Sequence, residues 1–185
     1  MKSTFKNWWT NKWFTANNKD TARFKRGYIY SLEGRVYKIK YNRKSLTAKV
    51  RGNYSRFYNV KLNFKQLSDV EKQEIIDIIK NDYNILSSIL NNKIPEEFYK
   101  KLNKVGIFDK YINANCNCQD IGNPCKHEAA LIYTLGYEID KNPFLLFKIH
   151  GFDLAIEFEI LQNKEIINVN EFFKNYEKEY GKSSQ

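Results

Sequence analysis

The sequence predicts an α+β fold, with an N-terminal antiparallel β-meander packed with helices, then a helical C-terminal half built around a cluster of cysteines. Three observations in the 185 residues lead there. Between Gly27 and Phe64 apolar and polar residues alternate with a period of two; after Phe64 the spacing becomes helical. All three cysteines, with one of the two histidines just after them, fall between Cys116 and His127. An apolar fraction of 42% with 28% charged residues, eight Gly and three Pro describes a chain that folds rather than a disordered one.

The first element is the segment FKNWWTNKWF, which holds every tryptophan: Trp8, Trp9 and Trp13. Trp9 and Trp13 stand four apart and share one face of a helix, with Phe5 extending the stripe by a turn. This reads as a core anchor; a platform for stacking bases is the alternative. In GRVYKIKY the alternation puts Arg35, Tyr37, Ile39 and Tyr41 on one side and Val36, Lys38 and Lys40 on the other. In SLTAKVRG, Leu46, Ala48 and Val50 oppose Thr47, Lys49 and Arg51. RFYNVKLNF aligns Tyr58, Val60, Leu62 and Phe64.

Beyond Phe64, the run Leu67, Val70, Ile75, Ile78, Ile79, Leu86, Ile89 and Leu90 predicts an amphipathic helix interrupted near Asp82 to Asn84. Ser68 and Glu71 form a capping box at its start. A shorter helix opens at Pro95 with Glu96 and Glu97 in its first turn and stops near Gly106. The polar tail from Asn168 predicts a helix through EFFKNYEKEY, frayed at GKSSQ. The organisation is thus a basic region over 1–65, a helical scaffold over 66–110, a cysteine module with its following helix over 111–151, and a tail over 152–185.

Charge divides the chain. Residues 1–65 carry 17 Lys and Arg against Asp20 and Glu33, a net of +15, whereas 66–185 carry 14 against 19, a net of −5. Lys38, Lys40, Lys49, Arg51 and Lys61 are expected to project from neighbouring strands into one field that suits a phosphate backbone. A solvated lysine-rich surface has the same composition.

The cysteine window spells C-x-C-x6-C-x-H: Cys116, Cys118, Cys125 and His127. Three thiolates and an imidazole complete a tetrahedral shell for Zn2+ with no position left for water or substrate, which is the pattern of a structural site. Side chains two apart in an extended segment point the same way, so Cys116 and Cys118 can converge. QDIGNP reverses the chain, and the second pair sits where the helix of EAALIYTLGYEI starts. Such a site contributes ~10–16 kcal/mol of apparent binding free energy, and loss of one ligand is expected to unfold at least this half. Buried free cysteines and a catalytic Cys–His pair are the competing readings. The polar neighbours speak against the first, and the unexplained C-x-C against the second.

The string CNCQDIGNPCKHEAALIY resembles the SWIM-type zinc finger. WWTNKW, RGYIYSLEGRV, LTAKVRGNYSRFYNVKL and NPFLLFKIHG extend the resemblance to small bacterial and archaeal SWIM proteins over about residues 8–151. The resemblance implies that Cys116, Cys118, Cys125 and His127 bind zinc, and that the protein binds DNA or protein partners such as an SNF2-type ATPase or a RecA-family recombinase. Between Cys116 and His127 only Lys126 is basic, so phosphate contact is expected from the sheet rather than the finger. A protein adaptor would present Phe144, Phe147 and Tyr133 beside the finger.

No phosphate-loop, zincin, nucleophile-elbow or dinucleotide motif occurs, so a non-enzymatic role is expected. His150 has no partner at recognisable spacing, and Glu157 and Glu159 read as solvated. Without an apolar stretch of membrane-spanning length or a signal-peptide pattern, and with an odd number of cysteines, a cytoplasmic, reducing location is expected.

Overall fold

The computed structural model describes residues 5–18, 22–42, 45–53, 56–120, 122 and 124–158. The helix expected in the tail lies outside them. The chain divides into two compact units, Met1–Phe152 and Asp153–Gln185; within the second, the described residues form the short helix α8 (Leu154–Glu157).

The first unit begins with α1 (Trp8–Asn17) and α2 (Ala22–Leu32). Trp9 and Trp13 are buried on one face of α1, as their spacing predicts, while Trp8 is exposed. Phe5 precedes the helix rather than extending its stripe, and packs its ring on Phe14 and Tyr137. The segment Gly27–Leu32 is helical, where alternation predicted a strand. What decides this is packing: Phe24, Gly27 and Tyr30 recur at helical spacing and are the buried residues of α2. The helix ends in a Schellman motif, with Gly34 at φ +62°, Gly34 N–H donating to Ser31 O and Arg35 N–H to Tyr30 O.

Four strands follow in the order β1 (Val36–Asn42), β2 (Ser45–Arg51), β3 (Phe57–Asn63) and β4 (Asn113–Cys116), all antiparallel. Leu46, Ala48, Val50, Val60 and Leu62 are buried on the inner face. β1 does not alternate throughout. Val36 pairs with Val50 and Tyr37 with Lys49, but the next pair is Lys40 with Thr47, and Lys38 takes φ 52°. This bulge shifts the phase, so Tyr37 lies on the outer side with Lys49 while Tyr41 pairs with the inward Leu46. Strict alternation would instead place Tyr37 on one side with Ile39 and Tyr41.

Between β3 and β4 the chain makes an excursion through α3 (Asp69–Asn81), α4 (Tyr83–Leu90) and α5 (Glu96–Lys104). The capping box at Ser68 and Glu71 is formed, and the break falls at Asp82, whose carboxylate caps α4 through Asn84 N–H. Gly106, at φ +80°, turns the chain back toward the sheet after α5. The long helix α6 (Lys126–Lys141) runs against α2 and approaches every strand. Its Asp140 carboxylate accepts from the backbone N–H groups of Lys6 and Asn7, tying the entry of α1 to the far end of α6. After α7 (Phe144–Lys148), His150 is buried with Nδ1 2.7 Å from Lys65 O and Nε2 3.0 Å from Ile107 O. It therefore joins three chain segments through backbone carbonyls.

Candidate metal centre

Two elements deliver the four donors. Cys116 is the last residue of β4, held by pairing with Val60, and Cys118 follows two residues later. Cys125 is the N-cap of α6 and His127 its second residue. The three Sγ atoms and one imidazole nitrogen lie within 4.8 Å of one another. His127 Nδ1 is 3.8 Å from Cys116 Sγ and 3.9 Å from Cys125 Sγ. Bond lengths of about 2.0–2.3 Å in a tetrahedral shell separate the donors by little less than this. The residues present therefore fit a metal ion, with Nδ1 as the histidine donor.

Cys125 also performs a local task. Glu128 N–H donates to Cys125 Sγ at 3.5 Å, while Cys125 N–H donates to Glu128 Oε2 at 2.6 Å. This is a capping box with cysteine in the place of serine. The positive end of α6 thus faces the sulfur, an arrangement that favours the thiolate. The sequence does carry a signal for Glu128: C-x-x-E before an apolar helix is the counterpart of S-x-x-E.

Side walls hold the imidazole. Tyr58 stacks on His127 with centroids 4.3 Å apart, and the Tyr30 ring lies 5.8 Å away. Gly52 closes the rim: a Cβ there would meet the Tyr58 ring at 2.6 Å and His127 Nε2 at 3.2 Å. The turn between the cysteine pairs is fixed by Asp120, which accepts from Gly122 N–H at 3.0 Å and from the Arg23 guanidinium of α2 at 3.1 Å. Tyr58, Tyr30, Gly52 and Arg23 have no marker in the sequence, because they act from outside the cysteine window, whereas Asp120 lies in the QDIGNP turn that the sequence indicates.

Electrostatics agree with cation binding. Burial, with Lys126 beside it, draws the His127 pKa down to about 4, so the ring is neutral and free to donate a lone pair at physiological pH. The Cys125 thiol is pushed far upward by its hydrogen bond with Cys116 and by burial, and burial also raises Cys118. Three thiolates this close together, with Cys125 buried, need a positive charge among them; loading an ion would displace their protons.

The five basic residues singled out in the sequence, Lys38, Lys40, Lys49, Arg51 and Lys61, are all exposed. Lys40, Thr47 and Lys61 occupy one cross-strand row on the outer face, Tyr37, Lys49 and Asn59 the next, and Arg51 pairs with Phe57. Lys38 lies in the bulge instead of the regular alternation. Cys116 shares the inner side of the sheet with its partner Val60, so the metal centre and the basic rows lie on opposite faces. Phe147 and Tyr133 are buried and Phe144 half-buried. They belong chiefly to the core and do not form the adaptor surface expected of them.

No protein-family model matches the chain, and no solved structure matches it. It is similar to the uncharacterized protein Rv2102 of Mycobacterium tuberculosis, with 24% identity over 152 residues, covering 78% of this chain and 54% of that protein. The chain thus spans about half the length of this relative. Among the described residues no helix is long and apolar enough to cross a membrane.

Proposed function

We propose that this is a non-enzymatic, zinc-binding protein of the SWIM type that binds nucleic acid, with DNA favoured, through the outer face of its sheet. Zinc is the ion because three thiolates and an imidazole form a closed, borderline-soft tetrahedral set. The observation that carries the nucleic-acid reading is the basic face itself. β1 to β4 contain no Asp or Glu, and Lys40, Lys49, Arg51 and Lys61 project from three adjacent strands on the side away from the metal. Zinc then fixes β4 to α6 from behind while the exposed cations meet phosphates.

The test is a salt series of binding to DNA, comparing the zinc-loaded chain with a variant in which Lys40, Lys49, Arg51 and Lys61 are replaced by Ser. With about four phosphate contacts, one for each of these cations, log affinity should fall against log salt with a slope of about −3.6 on a duplex. A flat response, or one the variant shares, would sink the proposal.

A second reading is an adaptor docking on an SNF2-type ATPase or a RecA-family recombinase. It draws on Ile29 and Leu32 of α2, which are 50% and 60% exposed. Binding to such a partner that is lost on Ile29→Ser with Leu32→Ser, in a chain that ignores DNA, would favour it.

A further inference from the structure

The outer face of the sheet is not only basic. The bulge at Lys38 brings Tyr37 onto it beside Phe57, with ring centroids 5.7 Å apart and planes at 74°. Phe57 is 51% exposed and Tyr37 37% exposed. Cations surround the pair: Arg51 pairs across the strands with Phe57 and holds its guanidinium 5.9 Å from the Tyr37 ring centre, and Lys49 pairs with Tyr37. One row further along the strands stand Lys40 and Lys61.

Two exposed rings are costly on a solvated face that needs only cations to attract a duplex backbone. In a duplex the bases are stacked inside and present no ring face to an aromatic side chain. In an unpaired strand every base has a free π-face, and rings interleaved with Lys and Arg are the means by which proteins hold such strands without reading sequence. We infer that Tyr37 and Phe57 form a stacking platform for an unpaired polynucleotide strand, whose phosphates are held by Lys40, Lys49, Arg51 and Lys61. This rests on the nucleic-acid reading above and narrows its ligand from DNA in general to single strands.

The experiment is fluorescence anisotropy with the zinc-loaded full chain and four labelled probes: a dT oligonucleotide, a U oligonucleotide, a duplex of equal length, and an abasic phosphodiester strand. Polyglutamate competes in a parallel series. Variants are Phe57→Ala, Tyr37→Ala and Phe57→Leu, the last keeping apolar bulk without a π-face. Because both side chains are exposed, all three should fold, which circular dichroism checks. The inference expects both base-bearing single strands to bind more tightly than the duplex and the abasic strand. Each alanine variant should lose roughly 5- to 150-fold on those two probes, with Phe57→Leu resembling Phe57→Ala and duplex affinity unchanged. A response to dT alone or to U alone would identify the kind of strand and still support the platform. Equal binding of all four probes, indifferent to the ring substitutions, would overturn the platform and leave the backbone reading standing. No binding of any probe, or displacement by polyglutamate with the same indifference to Phe57, would remove both.

Discussion

Tyr58 lies over His127 as a near-parallel lid, its ring plane tilted 25° from the imidazole and its centroid 4.3 Å away. β3 therefore contributes to the metal centre without supplying a donor. The stack restricts imidazole rotation and keeps Nδ1 turned toward the sulfurs. Tyr58→Ala should weaken metal affinity about tenfold, at the low end for residues that orient ligands, whereas Tyr58→Phe should retain it. Competition against a chromophoric chelator measures both; equal loss in the two variants would mean the hydroxyl, not the stack, matters.

Cys125 combines two tasks that one substitution separates. Ser is a strong N-cap but a poor replacement for a thiolate ligand. Cys125→Ser should therefore preserve the start of α6 in the metal-free protein while abolishing tight binding. Cobalt serves as the probe: the wild type should give tetrahedral d–d bands and thiolate charge transfer, and the variant neither. Similar spectra from both would remove Cys125 from the donor set.

At Gly27 α2 packs directly against α6. A Cβ there would stand 2.5 Å from Ala129 Cβ and 2.8 Å from the Ala130 backbone nitrogen. Gly27→Ala gains about 1 kcal/mol in helix propensity but requires the helices to move apart, at about 1–3 kcal/mol for overpacking. The urea midpoint should fall, and a raised midpoint would show that the helices separate without cost.

Glu71 gives an acid-sensitive contribution. Its carboxylate accepts from Lys65 Nζ, Ser68 N–H and Ser68 Oγ at 2.8–2.9 Å, and the lysine contact above all draws its pKa from 4.5 to about 2. Between those values the unfolded chain binds the extra proton, so stability rises with pH. The contribution is complete above about pH 4.5 and is lost as pH falls toward about 2. Glu71→Gln keeps a capping-box residue but loses the charge facing Lys65, so it should cost up to about 1 kcal/mol near neutrality and converge with the wild type at the acid end. Taking the difference between the two chains cancels thiolate protonation, which both share; a gap independent of pH would contradict the assignment.

What could be read from the sequence follows from how local each signal is. The Ser68–Glu71 box, the break at Asp82 and the Cys116–His127 window need only a few consecutive residues: the box and the break are formed, and the four side chains of the window converge. Gly27–Leu32 misled because Tyr and Ile suit strands, while its helical state depends on Ala129 and Ala130, a hundred residues away. The bulge at Lys38 carries no glycine or asparagine to announce it, so Tyr37 was assigned to the wrong face. Tyr133 and Phe147 are aromatic whether buried or exposed, and only the packing of α6 and α7 decides between them.

The compactness of the ligand set has a consequence for how the protein assembles. Cys116 to His127 is twelve residues, so an unfolded or nascent chain already carries every donor within a short loop whose closure is entropically cheap. Pairing β4 with β3 instead requires closure across all of α3 to α5, a slower, non-local step. Metal capture can therefore precede sheet completion, and an ion held by the unfolded chain as well would stabilise the native state by less than its affinity alone would suggest. In refolding with cobalt, thiolate charge transfer should appear before the tryptophan signal that reports burial of Trp9 and Trp13; the opposite order would mean that the sheet builds the site.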